Sequence, residues 1–438
     1  MHKCDIDIQN ISKIEGHTDL HLRVRKGKVT ECKLKIDENK RFFKQAVEGK
    51  PFAQVPQIMS RICGTCSSAH TLASIESIEK ALKIKPTEQT QILKNLLINS
   101  GHFRDHAMHL YFFVLPDVYK KDSVLEFEEP ELHELVHDGL ECKEAGNYTS
   151  TIVGGRAIHP PAAQIGGFSK TPTKEEIQEA KNKLKAVRKK VIKLIDIFYN
   201  DQTSFKRKTN YIGLVNENYN FLEGRIKTAK GMEIPEKDFG KYIEEVILPY
   251  ATSAGVEWKG NEYMVGSLAR LNLNKENLNK KTLKDVKKYL DIFPNDCIFN
   301  NNTAQAIEML HALDNSLEML DYEFKEEKPI QPKNPDKAEG KGVGVVEAPR
   351  GTLYYIIEIK NGKIKYIDLC IPTQQNIIHI EKDIAAYVNY LLEKKEKINK
   401  KNISLEIEKM IRAYDPCMSC ATHFLKVNWD EDETLKKH

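Results

Sequence analysis

Apolar and polar residues alternate along Asp19-Leu20-His21-Leu22-Arg23-Val24 and again along Cys32-Lys33-Leu34-Lys35-Ile36. A period of two predicts half-buried strands, and Lys26-Gly27-Lys28 between them suits a turn, so a hairpin is expected within residues 6–36. From about residue 40 to 140, and from 172 to 205, apolar residues recur at intervals of three and four. Ile92, Leu96 and Leu97 show it, as do Leu184, Val187, Val191, Ile192 and Ile195. That spacing predicts long amphipathic helices. A glycine- and proline-rich connector, Gly154-Gly155-Arg156 through Gly166-Gly167-Phe168, interrupts them, and Lys328 to Lys341 forms a second polar break. Neither has the composition of a free linker. Strand composition returns over Thr352 to Pro372, with Asn361-Gly362 as a hairpin signal between Leu353–Ile359 and Ile364–Ile371. The fold class predicted is α+β, mainly α, with a core of long helices and two small sheets at the edge.

Composition narrows the function. The chain has 438 residues, 40% hydrophobic and 30% charged, an ordinary globular balance whose length suggests two or three domains. Its 67 basic and 63 acidic residues leave a net charge of only +4, so no basic field points to nucleic acid. The lysine-rich stretches Lys181–Lys193 and Lys394–Lys401 interleave lysine with apolar or acidic residues and read as solvated helix faces. The longest apolar run, His109 to Pro116, is far short of the roughly 18–20 residues a bilayer requires, so no transmembrane segment is expected. The opening MHKCDIDIQN lacks the apolar core of a signal peptide, and nine cysteines are too sparse for a disulfide framework. A soluble protein of the reducing cytoplasm is expected.

Two C-x-x-C pairs carry the candidate chemistry: Cys63 and Cys66 in Arg61-Ile62-Cys63-Gly64-Thr65-Cys66, and Cys417 and Cys420 in Asp415-Pro416-Cys417-Met418-Ser419-Cys420. Spacing of i, i+3 puts two sulfurs on one face of a helical turn, a bidentate claw for a soft metal. Asp415 and Pro416 suit the cap and first position of a helix whose positive end would stabilise the second pair as thiolates. His70 follows Cys66 by four and His423 follows Cys420 by three, so each histidine is expected over its own claw. Spacing alone leaves structural zinc, iron–sulfur or another soft metal open. Structural zinc usually ties pairs roughly 10–20 residues apart, whereas these lie near opposite ends of the chain. A staple of that reach points to a buried central site.

The two segments RICGTCSSAH and DPCMSCATH resemble the paired signatures of nickel–iron hydrogenase large subunits. Four further segments resemble family segments in the same order: Lys13-Ile14-Glu15-Gly16-His17, Asp105-His106-Ala107-Met108-His109, Gly154-Gly155-Arg156-Ala157-Ile158-His159-Pro160 and Glu347-Ala348-Pro349-Arg350-Gly351. The chain looks most similar to the cytoplasmic, bidirectional group linked to NAD(P) or deazaflavin. The resemblance implies one mainly helical domain over residues 1–423 and reversible heterolytic cleavage of dihydrogen.

It also implies residue roles. All four thiolates would bind nickel, with Cys66 and Cys420 bridging to an iron that carries carbon monoxide and cyanide. Arg350 would stand over the open metal position beside Pro349, held by Asp105 and Asp415. Glu15 would start proton exit, and His70 would bond near a bridging sulfur. The partners implied are an iron–sulfur small subunit, diaphorase-type subunits and a maturation protease. Two departures stand out. Lys44 occupies the place of a glutamate that in many relatives helps His423 bind magnesium or iron, leaving Glu48 or the lysine's own charge as substitutes. The segment FLKVNWDEDETLKKH, residues 424–438, follows His423 and reads as a maturation tail. The rival reading is a non-catalytic redox-complex subunit with a four-cysteine structural zinc site.

Overall fold

The computed structural model describes residues 4–39, 41–394 and 399–422. His423 and the tail that follows it lie outside them. The N-terminal hairpin is present as β2 (Thr18–Arg25) and β3 (Lys28–Ile36), joined by an antiparallel β1 (Cys4–Ile8). Ile6, Leu20, Leu22, Val24, Leu34 and Ile36 share its buried face, as the alternation requires.

The helical periods become α1 (Ser67–Leu82), α2 (Glu88–Met108), α3 (Pro130–Gly154) and α4 (Lys174–Tyr199). α4 starts at a capping box, with the Thr173 hydroxyl and the Glu176 carboxylate each accepting the other's backbone N–H. It buries Leu184, Val187, Val191, Leu194 and Ile195. Two more helices, α5 (Ser267–Asn274) and α6 (Asn300–Met319), complete the central packing, in which α2 lies between α3 and α6 and α6 also meets α4. Both breaks pack down: the Gly166 carbonyl accepts from Ile330 N, and Gly166 N donates to the Glu79 carboxylate.

The expectation of two edge sheets needs correction. There are five small antiparallel sheets among the described residues. Those of residues 212–258 close around a second core of Ile226, Phe239, Trp258, Tyr263 and Tyr354, in a stretch whose strands are too short to show a period. The sheet that matters most is β4 (Gly340–Ala348), β5 (Gly351–Lys360) and β6 (Lys363–Cys370). Asn361-Gly362 makes the predicted turn between β5 and β6. β4, whose first residues fall at the end of the polar break, is a full strand, and it is buried rather than peripheral.

β4 is legible once its alternate glycines are seen against α1. A Cβ on Gly340, Gly342 or Gly344 would stand 2.0, 2.0 and 2.4 Å from the carbonyl oxygens of Ala81, Ser77 and Ala73. Two strand residues advance about 6.6 Å and four helical residues about 6.0 Å, so each glycine receives one turn of helix backbone. After these helices come α7 (Pro372–Lys394) and α8 (Lys400–Ala413) and a last helical turn, Met418–Ala421. No described helix is long and apolar enough to cross a membrane.

Gly342→Ala therefore forces a methyl into helix backbone and should destabilise the chain by roughly 1–3 kcal/mol or more. Gly101→Ala in α2 meets only the Ser68 side chain at 3.4 Å, and gains helix propensity of about 1 kcal/mol. Thermal and denaturant melts of the two variants should move in opposite directions.

Candidate metal centre

The four cysteines meet. Their sulfurs lie within 4.8 Å of one another. Cys63 to Cys417 is 3.4 Å, Cys66 to Cys420 3.2 Å and Cys417 to Cys420 2.8 Å, with all four residues buried and none in a disulfide. The local geometry differs from two helical claws. Cys63 is extended (φ −149°, ψ 143°) and Cys66 is the N-cap of α1, so the first pair spans a loop entering a helix. Cys417 is also extended, and only Cys420 lies within the short turn.

Asp415 does not cap that turn. It sits at φ +52° with its carboxylate facing away, and Pro416 precedes Cys417, the capping position. Glu15 supplies the cap from the other end of the chain. Its carbonyl accepts from Met418 N at 2.9 Å, and its Oε2 accepts from Ser419 N at 3.1 Å and from the Cys417 thiol at 3.0 Å. Cys417 N donates to Thr373 Oγ1 at 3.0 Å. A helical turn of four residues has no stability of its own, so these tertiary bonds are what form it.

Arg350 lies in the two-residue turn between β4 and β5 and is 6% exposed. Its Nη1 donates to Asp105 Oδ2 at 2.7 Å, its Nη2 to Asp415 Oδ1 at 2.8 Å and its Nε to the Asp415 carbonyl at 2.7 Å. Burial works against this guanidinium's charge, but the two carboxylates outweigh it and hold the group charged. Asp415 Oδ2 accepts from Gln305 Nε2 at 3.0 Å, and the Gln305 Oε1 lies 2.6 Å from His109 Nδ1.

His70 reaches the second pair as well: its Nε2 is 3.8 Å from Cys420 Sγ, one of the two sulfurs named as bridging, and its Nδ1 is 2.7 Å from the Tyr355 hydroxyl. Burial brings its pKa down to about 4, so the ring is neutral. Glu15 is also more buried than a lone surface carboxylate. Burial and the negative charge of Cys63 raise its pKa, against the hydrogen bonds from Cys417 and Ser419. Among the thiols, hydrogen bonds from Cys417 and Cys420 hold Cys63 well below the usual thiol range, while burial pushes Cys417 and Cys420 well above it. Four crowded thiols thus shed one proton readily and the others only to a cation. Soft, convergent sulfur donors of this kind fit nickel and iron, and zinc as well.

A cavity of about 10 Å³ adjoins the sulfurs, lined by Cys66, His70, Arg350, Leu353, Cys417 and Cys420 among others. That is near the lower bound for one water-sized molecule. Pro349 is not among its lining residues; the Pro349 carbonyl instead accepts from Arg270 at 3.1 Å. Lys44 pairs with Asp368 at 3.0 Å and Glu48 is exposed. Spacing gives no signal for Gln305, Tyr355, Thr373 or Arg270, which reach the centre through tertiary packing alone.

The description of the family matched is nickel-dependent hydrogenase, over residues 41–138 and 249–423, segments that contain both cysteine pairs. The chain is 30% identical to the alpha chain of sulfhydrogenase 1 of Pyrococcus furiosus over 431 residues, 96% of this chain and 98% of that one. It is 28% identical to a chain of the vhc F420-non-reducing hydrogenase of Methanococcus voltae, over 95% and 94% of the two chains. Its fold matches an NAD+-reducing [NiFe]-hydrogenase in the H2-reduced state, with a TM-score of 0.81 at 23% identity over 96% and 99%. A [NiFeSe]-hydrogenase of Dm. baculatum matches at 0.77, with 21% identity over 96% and 100%. Kinship along nearly the whole chain agrees with four thiols gathered from its two ends, and the chain belongs to the nickel-dependent hydrogenase family, as a large subunit.

Proposed function

We propose that this chain cleaves dihydrogen heterolytically, and reforms it, at a nickel–iron centre held by Cys63, Cys66, Cys417 and Cys420. The observation that carries the reading is the small buried cavity lined at once by three of those thiols and by Arg350. A structural zinc site is closed by its ligands, whereas a catalytic one keeps a position open. Bound there, nickel and iron supply a Lewis-acidic acceptor for the electron pair of dihydrogen. By resemblance, Cys66 and Cys420 would be shared between nickel and an iron that would carry carbon monoxide and cyanide, with Cys63 and Cys417 on nickel alone.

The protein's part is positioning, polarisation and proton removal. Arg350 presents a fixed positive charge to the cavity, and Asp105 and Asp415 keep its fork in one orientation. The proton passes to the Cys417 sulfur and then to Glu15 Oε2, which already lies 3.0 Å away within hydrogen-bond reach. The neutral His70 ring, fixed by Tyr355, faces Cys420 and adjusts the basicity of that sulfur.

Residues 1–423 would form one domain in this reading. Electrons leave through an iron–sulfur small subunit, and diaphorase-type subunits then serve NAD(P) or deazaflavin. Supporting this is the lack of any second cluster of three or more His, Cys, Asp or Glu ligands among the described residues. One relative is named as a coenzyme F420 hydrogenase alpha subunit and one fold neighbour as an NAD+-reducing hydrogenase, whereas other relatives are named F420-non-reducing. Free thiols at the site suit the reducing cytoplasm. The family match ends at residue 423, which supports removal of residues 424–438 by a maturation protease.

Cys66→Ser and Cys417→Ser should each abolish both nickel loading and hydrogen turnover, because an alcohol is a poor ligand for soft metals. Metal analysis of wild-type protein, made with full maturation, that returned zinc alone would establish the structural rival. Arg350→Lys should retain its metals and lose turnover about 10²–10³-fold, since the charge survives but the fork does not. A wild-type rate in that variant removes Arg350 from the mechanism. Intact mass should show active enzyme lacking Phe424–His438 and nickel-starved protein retaining them; a full-length, fully active chain contradicts this.

A further inference from the structure

Beneath the turn that carries Arg350 lies a second arginine with no part in the scheme above. Arg270, on α5, is 2% exposed. Its Nε donates to Glu308 Oε1 at 2.6 Å and its Nη2 to Glu308 Oε2 at 2.7 Å, a bidentate pair. Nη1 donates to Glu347 Oε2 at 2.7 Å, and Nη2 also reaches Ser267 Oγ at 3.0 Å. Two further bonds go to backbone: Nη1 to the Ala348 carbonyl and Nη2 to the Pro349 carbonyl, each at 3.1 Å. Those are the two residues that immediately precede Arg350.

The carboxylates are fixed in turn. Glu308 accepts from Tyr219 and Ser267, and His106 Nε2 is 3.2 Å away. Glu347 accepts from Leu214 N and Thr352 Oγ1. The turn also packs closely on Val265 and Gly266, through Gly351 and the Arg350 carbonyl. A Cβ on Gly351 (φ +132°) would lie 2.4 Å from Val265 Cγ2, and one on Gly266 (φ +125°) 3.2 Å from the Arg350 carbonyl. Gly266 is the N-cap of α5 and Arg270 lies one helical turn along it, with Arg270 N bonded to the Gly266 carbonyl. One short segment, residues 265–270, therefore meets the Arg350 turn at several points, through Val265, Gly266 and Arg270.

Stability alone does not account for this arrangement. A buried ion network of this kind holds a fold no better than well-packed apolar side chains of the same volume. What apolar side chains cannot do is fix two successive carbonyls, and a planar fork with five donors can. We propose that Arg270 is a positioning residue that sets where the Arg350 guanidinium stands over the cysteine centre. The inference rests on the assignment of Arg350 to the reaction, and its test separates the two.

The test uses the matured complex carrying Arg270→Lys, Arg350→Lys and both together, read by nickel and iron content, kcat and KM for dihydrogen. The metal-free chains of wild type and Arg270→Lys are read by hydrogen–deuterium exchange. Arg270→Lys should keep its metals, leave KM within about twofold and lower kcat about 10–100-fold. In the metal-free chain it should also speed exchange at the Arg350 and Gly351 amides. Because Arg270 acts through Arg350, the double variant should be no slower than Arg350→Lys by more than about threefold, whereas an independent structural role multiplies the two losses. Wild-type kcat in Arg270→Lys, unchanged exchange, or multiplicative losses would each overturn the proposal while leaving the Arg350 assignment standing. Wild-type kcat in Arg350→Lys sinks that assignment instead, and exchange in the metal-free chain then still decides whether Arg270 holds the turn. If Arg270→Lys does not load metal, Glu308→Gln takes its place, leaving Arg270 present but its fork half unpaired. Full metal with wild-type exchange and kcat in that variant overturns the proposal too.

Discussion

The seating of β4 on α1 is the contact on which the centre depends. Gly344, Gly342 and Gly340 lie against Ala73, Ser77 and Ala81, so strand and helix run past one another at backbone contact, with little but the small Ser77 hydroxyl between them. Following the same step from Gly344 brings Val346 level with Ala69 in the first turn of the helix and carries Ala348 and Arg350 just past its start. That turn begins at Cys66 and contains His70. Arg350 therefore arrives beside a cysteine hundreds of residues earlier through rigid packing rather than a flexible loop. Backbone-to-backbone packing is the stiffest support available, and a site whose geometry must hold within fractions of an ångström needs it.

Charge sets the second constraint. The interior beside the sulfurs contains Arg350, Asp105 and Asp415, and a layer further out Arg270, Glu308 and Glu347, all 6% exposed or less. Each guanidinium answers two carboxylates. Such groups cost far too much to bury singly, and breaking one pair leaves the survivor unpaired in a low-dielectric surrounding. The centre thus tolerates little partial disorder: its ions are either all in place or strongly unfavourable. That property suits catalysis that depends on a fixed cation, because the field at the cavity then has one value rather than a spread.

Much of this is legible in the sequence, and the rest escapes it for identifiable reasons. The cysteine pairs can be read because their function requires close spacing along the chain, and the Asn361-Gly362 turn because its backbone demands those residues. β4 is half lost to a supposed break because glycine carries no hydropathy, so the alternation that marks a strand is invisible where it is most needed. Helix-cap chemistry at Asp415 and Pro416 misleads because the true cap, Glu15, comes from the other end of the chain, and a local rule cannot see a tertiary acceptor. Helical spacing sets His70 one turn from Cys66, as its amide bond to the Cys66 carbonyl shows, but it cannot foresee that the ring also comes within 3.8 Å of Cys420 from the far end of the chain. Gln305, Tyr355 and Arg270 have ordinary core neighbours in sequence, and only packing gives them a role.

The second cysteine pair is held differently from the first. The turn Met418–Ala421 is too short to persist alone, yet it receives bonds from Glu15 at its start, from Thr373 at Cys417 N, from Arg41 at the Ser419 carbonyl and from Gln374 at the Ala421 carbonyl. The Arg350 fork holds the Asp415 backbone, and Asn301 holds the Ala413 carbonyl. These donors and acceptors come from the N-terminal segment, α6, α7 and the β4–β5 hairpin, all distant from the turn in sequence. The first cysteine pair, at the head of α1, is already fixed by the glycine strand. One half of the centre is thus part of the core packing, and the other half is a segment held by tertiary bonds alone. Four thiols gathered in this way from the two ends of the chain can share one cation only when both halves are in place, so cation binding and the packing of the last segment favour one another.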